Sequence, residues 1–510
     1  MFALINVLLA SILLAISVSL VHAGSFLLSN ALGDHMVLKY ENPLVYGFDT
    51  PGTSVSVSVD DGVKYTNMTT AEGVWRITLP EQSIGGPHIL QFTTSNGDSG
   101  QLVDVYFGAV FVCGGQSNMQ FSVSGALNAT AEIADSINHP LLRLFTVGQG
   151  GGMNDPSPLT NFSSIEQNWS LASPSTVGNG DFSFFSALCY FFGRNLQMAL
   201  GEPTMPMGLI SSNVGGTCLS SWTPSDGQAA IDCGMTGTSG HANLYNGLIA
   251  PLTLGPMSVD GFLFSQGECD ADCNNTAFYR CAFPRFINDW RNRFNVPDAF
   301  FSYQVLPAYV NDSNRFNPYS LPFERQAQLL GLAAGGRVYA TNTIDLGDAL
   351  APHGSVHPRN KQVVAQRMTA AALALIYNDV TIPYSSPMYA GASALTDPTS
   401  GDVTVTIQFL PCPQSSGILT LTPSACPVGI GGLPLSECSW FEVQTAEGMW
   451  RNATSVALSQ DSKNLILTVT GTDPSSVAIA TRGFFSPWPV VVLYSVEGFP
   501  VLPWFEPIGM

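Results

Sequence analysis

Positive charge is scarce in this chain. Its 510 residues carry 18 Lys and Arg against 37 Asp and Glu, a net charge of −19 with His neutral. A nucleic-acid partner is set aside on that balance, because a phosphate backbone is bound by Lys and Arg that release its counterions. An anionic membrane surface is set aside for the same reason. Charge of either sign is thin, at 11% of residues against about 25% in an average soluble chain. Two motif classes are missing as well. No His-Glu-x-x-His occurs, and no Gly-x-x-x-x-Gly-Lys. Neither a zinc-protease centre nor a phosphate cradle of that kind is expected. The reading contains no metal and no cofactor.

Only one long apolar run is present. Ala3 to Leu20 is followed by Val21-His22-Ala23, with small residues placed as a signal peptidase requires, so residues 1–23 read as a signal peptide. No second run is long enough to span a bilayer, and the mature chain is expected to be free of one. Asn-x-Ser/Thr sequons stand at Asn67, Asn128, Asn161, Asn168, Asn274, Asn311 and Asn452, so N-glycans are expected on a secretory-route chain. Its 10 cysteines favour disulfides in such a compartment. Cys269-x-x-x-Cys273 lacks a second ligand pair for zinc, and the pairing itself is left open. Secretion and an acidic lumen such as the lysosome both fit.

Three regions follow one another. Residues 24–105 read as all-β: Val55, Val57 and Val59 alternate with serines before Asp61-Gly62, a hairpin signal. Residues 106–385 alternate strands and helices. Strands are expected at Val110–Cys113, Met207–Ser211, Gly261–Phe264, Ala299–Val305 and Arg337–Thr341. Helices are expected at Phe184–Ala199, Thr276–Phe294, Phe323–Ala334 and Lys361–Tyr377. That order implies an α/β domain with a parallel sheet covered on both faces, its strand C-termini along one edge. Residues 386–510 return to β character, as a small sandwich.

The polar residues gather at those strand ends. Gly114-Gly115-Gln116-Ser117-Asn118-Met119 follows the first strand, and its glycines leave room around a serine hydroxyl. Met119 stands where a Gly-x-Ser-x-Gly elbow would have glycine, so that motif fails. Gly215 and Gly216 after the second strand are able to turn backbone N–H groups toward an oxyanion. Gln266-Gly267-Glu268 follows the third strand, offering an amide and a carboxylate. Asp345, Asp348, His353 and His357 follow the last. His357 precedes a proline that starts a helix, and His is the usual proton acceptor for a serine nucleophile.

Together these segments resemble the sialate O-acetylesterases of the SGNH hydrolase superfamily. The likeness lies in Gly115-Gln116-Ser117-Asn118-Met119, Gly215-Gly216-Thr217 with Trp222, Leu244-Tyr245-Asn246, Gln266-Gly267-Glu268 and His357-Pro358-Arg359-Asn360-Lys361. It extends to Gly33-Asp34-His35-Met36-Val37-Leu38 in the N-terminal region. The resemblance implies a three-layer, flavodoxin-like sheet flanked by β-sandwich-like domains, with Ser117 as nucleophile and His357 as general base. It implies oxyanion donors from Ser117, from Gly215 or Gly216, and from a side chain such as Gln266. Asn246 and Arg359 are further substrate-binding candidates. The superfamily commonly has Asp three residues before its histidine; here that residue is Gly354. Glu268 is the first candidate for the third member, Asp348 and Asp345 the next, and a backbone carbonyl stays open. The implied reaction is removal of O-acetyl groups from sugars, sialic acids first. An acetylxylan or other polysaccharide esterase and a non-catalytic glycan-binding protein are the alternatives.

Overall fold

The computed structural model describes residues 26–149, 156–201, 205–235, 241–310, 317–422 and 440–508. The expected signal peptide, Asn311, Cys426 and Cys438 lie outside the described residues.

A mixed sheet forms the centre. Its strands are β1 (Ser99–Gly115), β2 (Leu142–Val147), β3 (Ile165–Leu171), β4 (Met207–Asn213), β5 (Gly261–Ser265), β6 (Phe300–Val305) and β7 (Val338–Asn342), in the order β3-β2-β4-β1-β5-β6-β7. All neighbours are parallel except β3, which runs antiparallel to β2. The central strand β1 pairs Gly115 with Asn213 on one side and with Ser265 on the other. Three strands therefore end at one level.

Alternation along β1 divides the packing. Phe111 and Cys113 join one apolar cluster with α2 (Ala187–Ala199) and α6 (Lys361–Leu375). Val110 and Val112 join another with Phe283, Phe286 and Trp290 of α4 (Thr276–Arg293). Successive strand residues face opposite ways, so one buried strand feeds two cores. Three disulfides, Cys113–Cys189, Cys218–Cys269 and Cys233–Cys281, fasten this region. Cys269 pairs with Cys218 and leaves Cys273 free.

The N-terminal strands are continuous with this sheet. Ser54–Val59 pairs with Tyr65–Met68 and Gly85–Thr94, and Gly85–Thr94 pairs with the first half of β1. The expected boundary at 105/106 therefore falls inside one strand. The C-terminal region holds antiparallel sheets, one of them built from Met388–Thr396, Val403–Leu410, Asn464–Val469 and Ser455–Leu458. No described helix is long and apolar enough to cross a membrane.

Candidate active site

The end of β1 delivers Ser117 to the sheet edge. Gly115 has φ +131°, and a Cβ there would lie 2.1 Å from the Ser265 carbonyl oxygen. Only glycine allows β1 and β5 to approach so closely. The Gln116 N–H donates to that same carbonyl at 2.8 Å. The chain then turns into α1 (Ser117–Gln120), with Ser117 half-buried at its start.

His357 lies on the loop between β7 and α6. Its N–H closes a turn on the Gly354 carbonyl at 3.0 Å. Asn360 caps α6, its side chain accepting from Val363. His357 Nε2 is 2.9 Å from Ser117 Oγ, and Nδ1 is 2.9 Å from the His353 carbonyl oxygen. A carbonyl only accepts, so Nδ1 carries the proton and the Nε2 lone pair faces the serine hydroxyl. Phe182 packs edge-on against the imidazole, ring centroids 5.0 Å apart. Burial holds the His357 pKa below its ordinary 6.5, with help from the Lys361 charge and against the His353 hydrogen bond.

The expected carboxylate partners of His357 are elsewhere. Glu268, at the start of α3 (Glu268–Asp272), accepts from Asn118 Nδ2 at 2.5 Å. Asp348 forms a two-pronged pair with Arg359, at 2.6 and 3.0 Å, and this guanidinium holds its carboxyl below the usual range. Asp345 pairs in the same way with Arg367. The backbone carbonyl of His353 fills the position instead.

Other expectations need correction too. The Gly215 N–H is already used, donating to Gln120 Oε1 at 2.8 Å. Gln266 turns its amide to the Thr217 carbonyl and to Asp270, at 3.0 and 2.6 Å, so it fastens two loops together. Trp222 Nε1 donates to Thr217 Oγ1 and holds the same loop. Arg359 is spent on Asp348. Asn246 sits buried in the turn Tyr245–Ile249, where its carbonyl accepts from Leu159, and it does not line the cleft. Among the described residues the N–H groups of Ser117 and Gly216 have no hydrogen-bond partner. A Cβ on Gly215 would lie 3.3 Å from Ser117 Cβ, so the glycine loop adjoins the serine.

A cleft of about 520 Å³ opens over the pair, lined among others by Ser117, His357, Gln120, Phe182, Gly216 and Asp272. None of its described lining residues is Lys or Arg. Beneath it Asn118 also donates to the Val356 carbonyl at 2.9 Å and accepts from Lys361 Nζ at 2.6 Å. Burial pushes Glu268 up to about 7 and Lys361 down to about 7. Gln120, Phe182 and the His353 carbonyl had no signal in the sequence pattern. Asn118 and Lys361 stood in the quoted motifs without a role.

Residues 108–328 match the model of the carbohydrate esterase, sialic acid-specific acetylesterase family. The human sialate O-acetylesterase is 30% identical over 394 residues, covering 71% of this chain and 73% of that one. The chain belongs to the sialate O-acetylesterase family. It is a carboxylic ester hydrolase. The mouse sialate O-acetylesterase is 29% identical over 418 residues, covering 71% of this esterase and 76% of its own length. The crystal structure of a carbohydrate acetylesterase from Xanthomonas citri superposes with a TM-score of 0.76 at 26% identity, covering 94% of this chain and 99% of that one.

Proposed function

We propose that this esterase removes O-acetyl groups from sugars through an acetyl-enzyme on Ser117. The observation that carries the reading is the 2.9 Å contact between His357 Nε2 and Ser117 Oγ. As Ser117 Oγ attacks the acetyl carbonyl carbon, its proton passes to His357 Nε2. The carbonyl oxygen takes the negative charge, held by the Ser117 and Gly216 N–H groups. A donor of this kind is worth about 2.7–4 kcal/mol in the transition state. The C–O bond to the sugar then breaks, and the departing oxygen takes the proton from His357. Water, deprotonated by the same imidazole, attacks the acetyl-serine and releases acetate. The His353 carbonyl keeps the imidazole in the tautomer each step needs.

The sheet and its two helical cores support an SGNH-type three-layer domain over 106–385, between β domains at 24–105 and 386–510. Three disulfides and exposed sequons at Asn67, Asn128, Asn168, Asn274 and Asn452 support a secretory, glycosylated protein.

For the sugar, the names of the mammalian relatives support an O-acetylated sialic acid. A second reading rests on the cleft: its described lining offers Glu268 and Asp272 but no cation for a sialate carboxylate. That favours a neutral sugar, as in acetylated xylan or another polysaccharide. Acetate release from an O-acetyl sialoside and from acetylated xylan, measured side by side, separates the two. Turnover of the sialoside alone supports the first reading, and turnover of xylan alone overturns it. Release from neither overturns deacetylation of these two classes of sugar.

A further inference from the structure

Asn118 makes three hydrogen bonds, and each reaches a different part of the site. Nδ2 donates to Glu268 at the start of α3 and to the carbonyl of Val356; Oδ1 accepts from Lys361 at the start of α6. Asn118 follows Ser117, and Val356 precedes His357. One side-chain amide therefore joins the turn that carries the serine to the loop that carries the histidine. All three side chains are nearly inaccessible, at 0% for Asn118, 3% for Glu268 and 1% for Lys361.

Burying an ammonium and a carboxyl here is costly, and apolar side chains of similar size would fill the space at less cost. The amide explains their presence. An ammonium only donates, so Lys361 holds Oδ1 on its own side and leaves both Nδ2 hydrogens for the two oxygens opposite. The ring of Phe121, 5.0 Å from Lys361 Nζ, adds a further attraction.

We propose that Lys361, acting through Asn118, is a positioning residue that keeps Ser117 and His357 in register. The proposal rests on the esterase reading above. Lys361 has a second consequence for the base, since its charge disfavours a proton on His357. The other titratable groups facing the imidazole are His353, tied to Asp181 at 3.0 Å, and the cleft carboxyls Glu268 and Asp272. Arg359 is turned to Asp348. Glu268 and Lys361 both lie at about 7, so as pH falls below that value Glu268 becomes neutral while Lys361 becomes charged, and the array next to His357 turns net positive.

The test uses the full chain and a small aryl acetate, with Ser117→Ala measured in parallel as a check on the esterase reading alone. Lys361→Met is expected to lower kcat by about tenfold to hundredfold, the scale of a small misplacement of reacting groups, with KM nearly unchanged. The acid limb of kcat/KM is expected to move to higher pH, which loss of stability alone does not produce. The double variant Glu268→Gln/Lys361→Met removes both buried charges and is expected to fold with the same two effects. A folded variant with the normal kcat and an unmoved acid limb overturns the proposal. Loss of fold in both variants also overturns it, in favour of a purely structural role.

Discussion

The His353 carbonyl, not a carboxylate, faces His357 Nδ1, at 2.9 Å. It fixes the tautomer without placing a negative charge beside the imidazole. In a serine-protease triad, replacing the Asp by Asn costs about 10⁴-fold in kcat. No such loss is expected here. Asp348→Asn should leave kcat within about threefold, because the carboxylate meets a partly exposed Arg359 and the Leu350 N–H but not the imidazole. Glu268→Gln keeps an oxygen for Asn118 and should stay within about tenfold. Steady-state kinetics of the two variants check this. A 10⁴-fold loss in either would reinstate that carboxylate as the third member.

The pH–rate profile follows from the base. His357 must be neutral to accept the serine proton, and burial lowers its pKa from the ordinary 6.5. The acid limb of kcat/KM should therefore lie below pH 6.5, with activity retained in mildly acidic buffer. A limb above that value would contradict the buried, cation-flanked setting of the ring.

Stability should depend on pH in a related way. Burial raises Glu268 from 4.5 to about 7 and Asp270 from 3.8 to about 6. The folded state binds more protons than the unfolded state between those values. The contribution is fully present below about pH 4 and is lost as pH rises through 6 to 7. Thermal unfolding should give a higher Tm at pH 5 than at pH 7.5. Asp270→Asn should flatten that slope, and an unchanged slope would remove Asp270 from the account.

The Cys218–Cys269 bridge ties the Gly215-Gly216 loop to the Gln266-Gly267-Glu268 loop, closing a separation of 51 residues. Cys218→Ser/Cys269→Ser should cost about 2–5 kcal/mol of stability. Both loops border Ser117, so kcat should fall as well at temperatures where the variant stays folded. Normal kcat in a folded variant would show that the bridge does not serve the site.

The strand-end placement of Ser117, Gly216, Glu268 and His357 was legible because glycine pairs and polar residues follow short apolar runs at helix-length spacing. The partners of these residues were not. Whether Glu268 meets His357 or Asn118 is decided by side-chain direction at the start of α3, which no spacing encodes. Gln120 ends the single-turn helix α1 and Phe182 lies on a loop, so neither belongs to a segment long enough to show a period. The strand Leu142–Val147 went unread because it is buried on both faces and contains Arg143, which pairs with Asp104. The change of pattern at 105/106 has a similar cause. β1 begins half-exposed and ends wholly buried, so its pattern changes within one strand.

The central claim is that Ser117 is the nucleophile. A serine-reactive fluorophosphonate followed by peptide mass mapping tests it most directly. One adduct is expected, on the peptide carrying Ser117, with labelling strongly slowed in His357→Ala and absent in Ser117→Ala. Wild-type protein left unlabelled, or labelled on another serine while acetate release continues, would contradict the account.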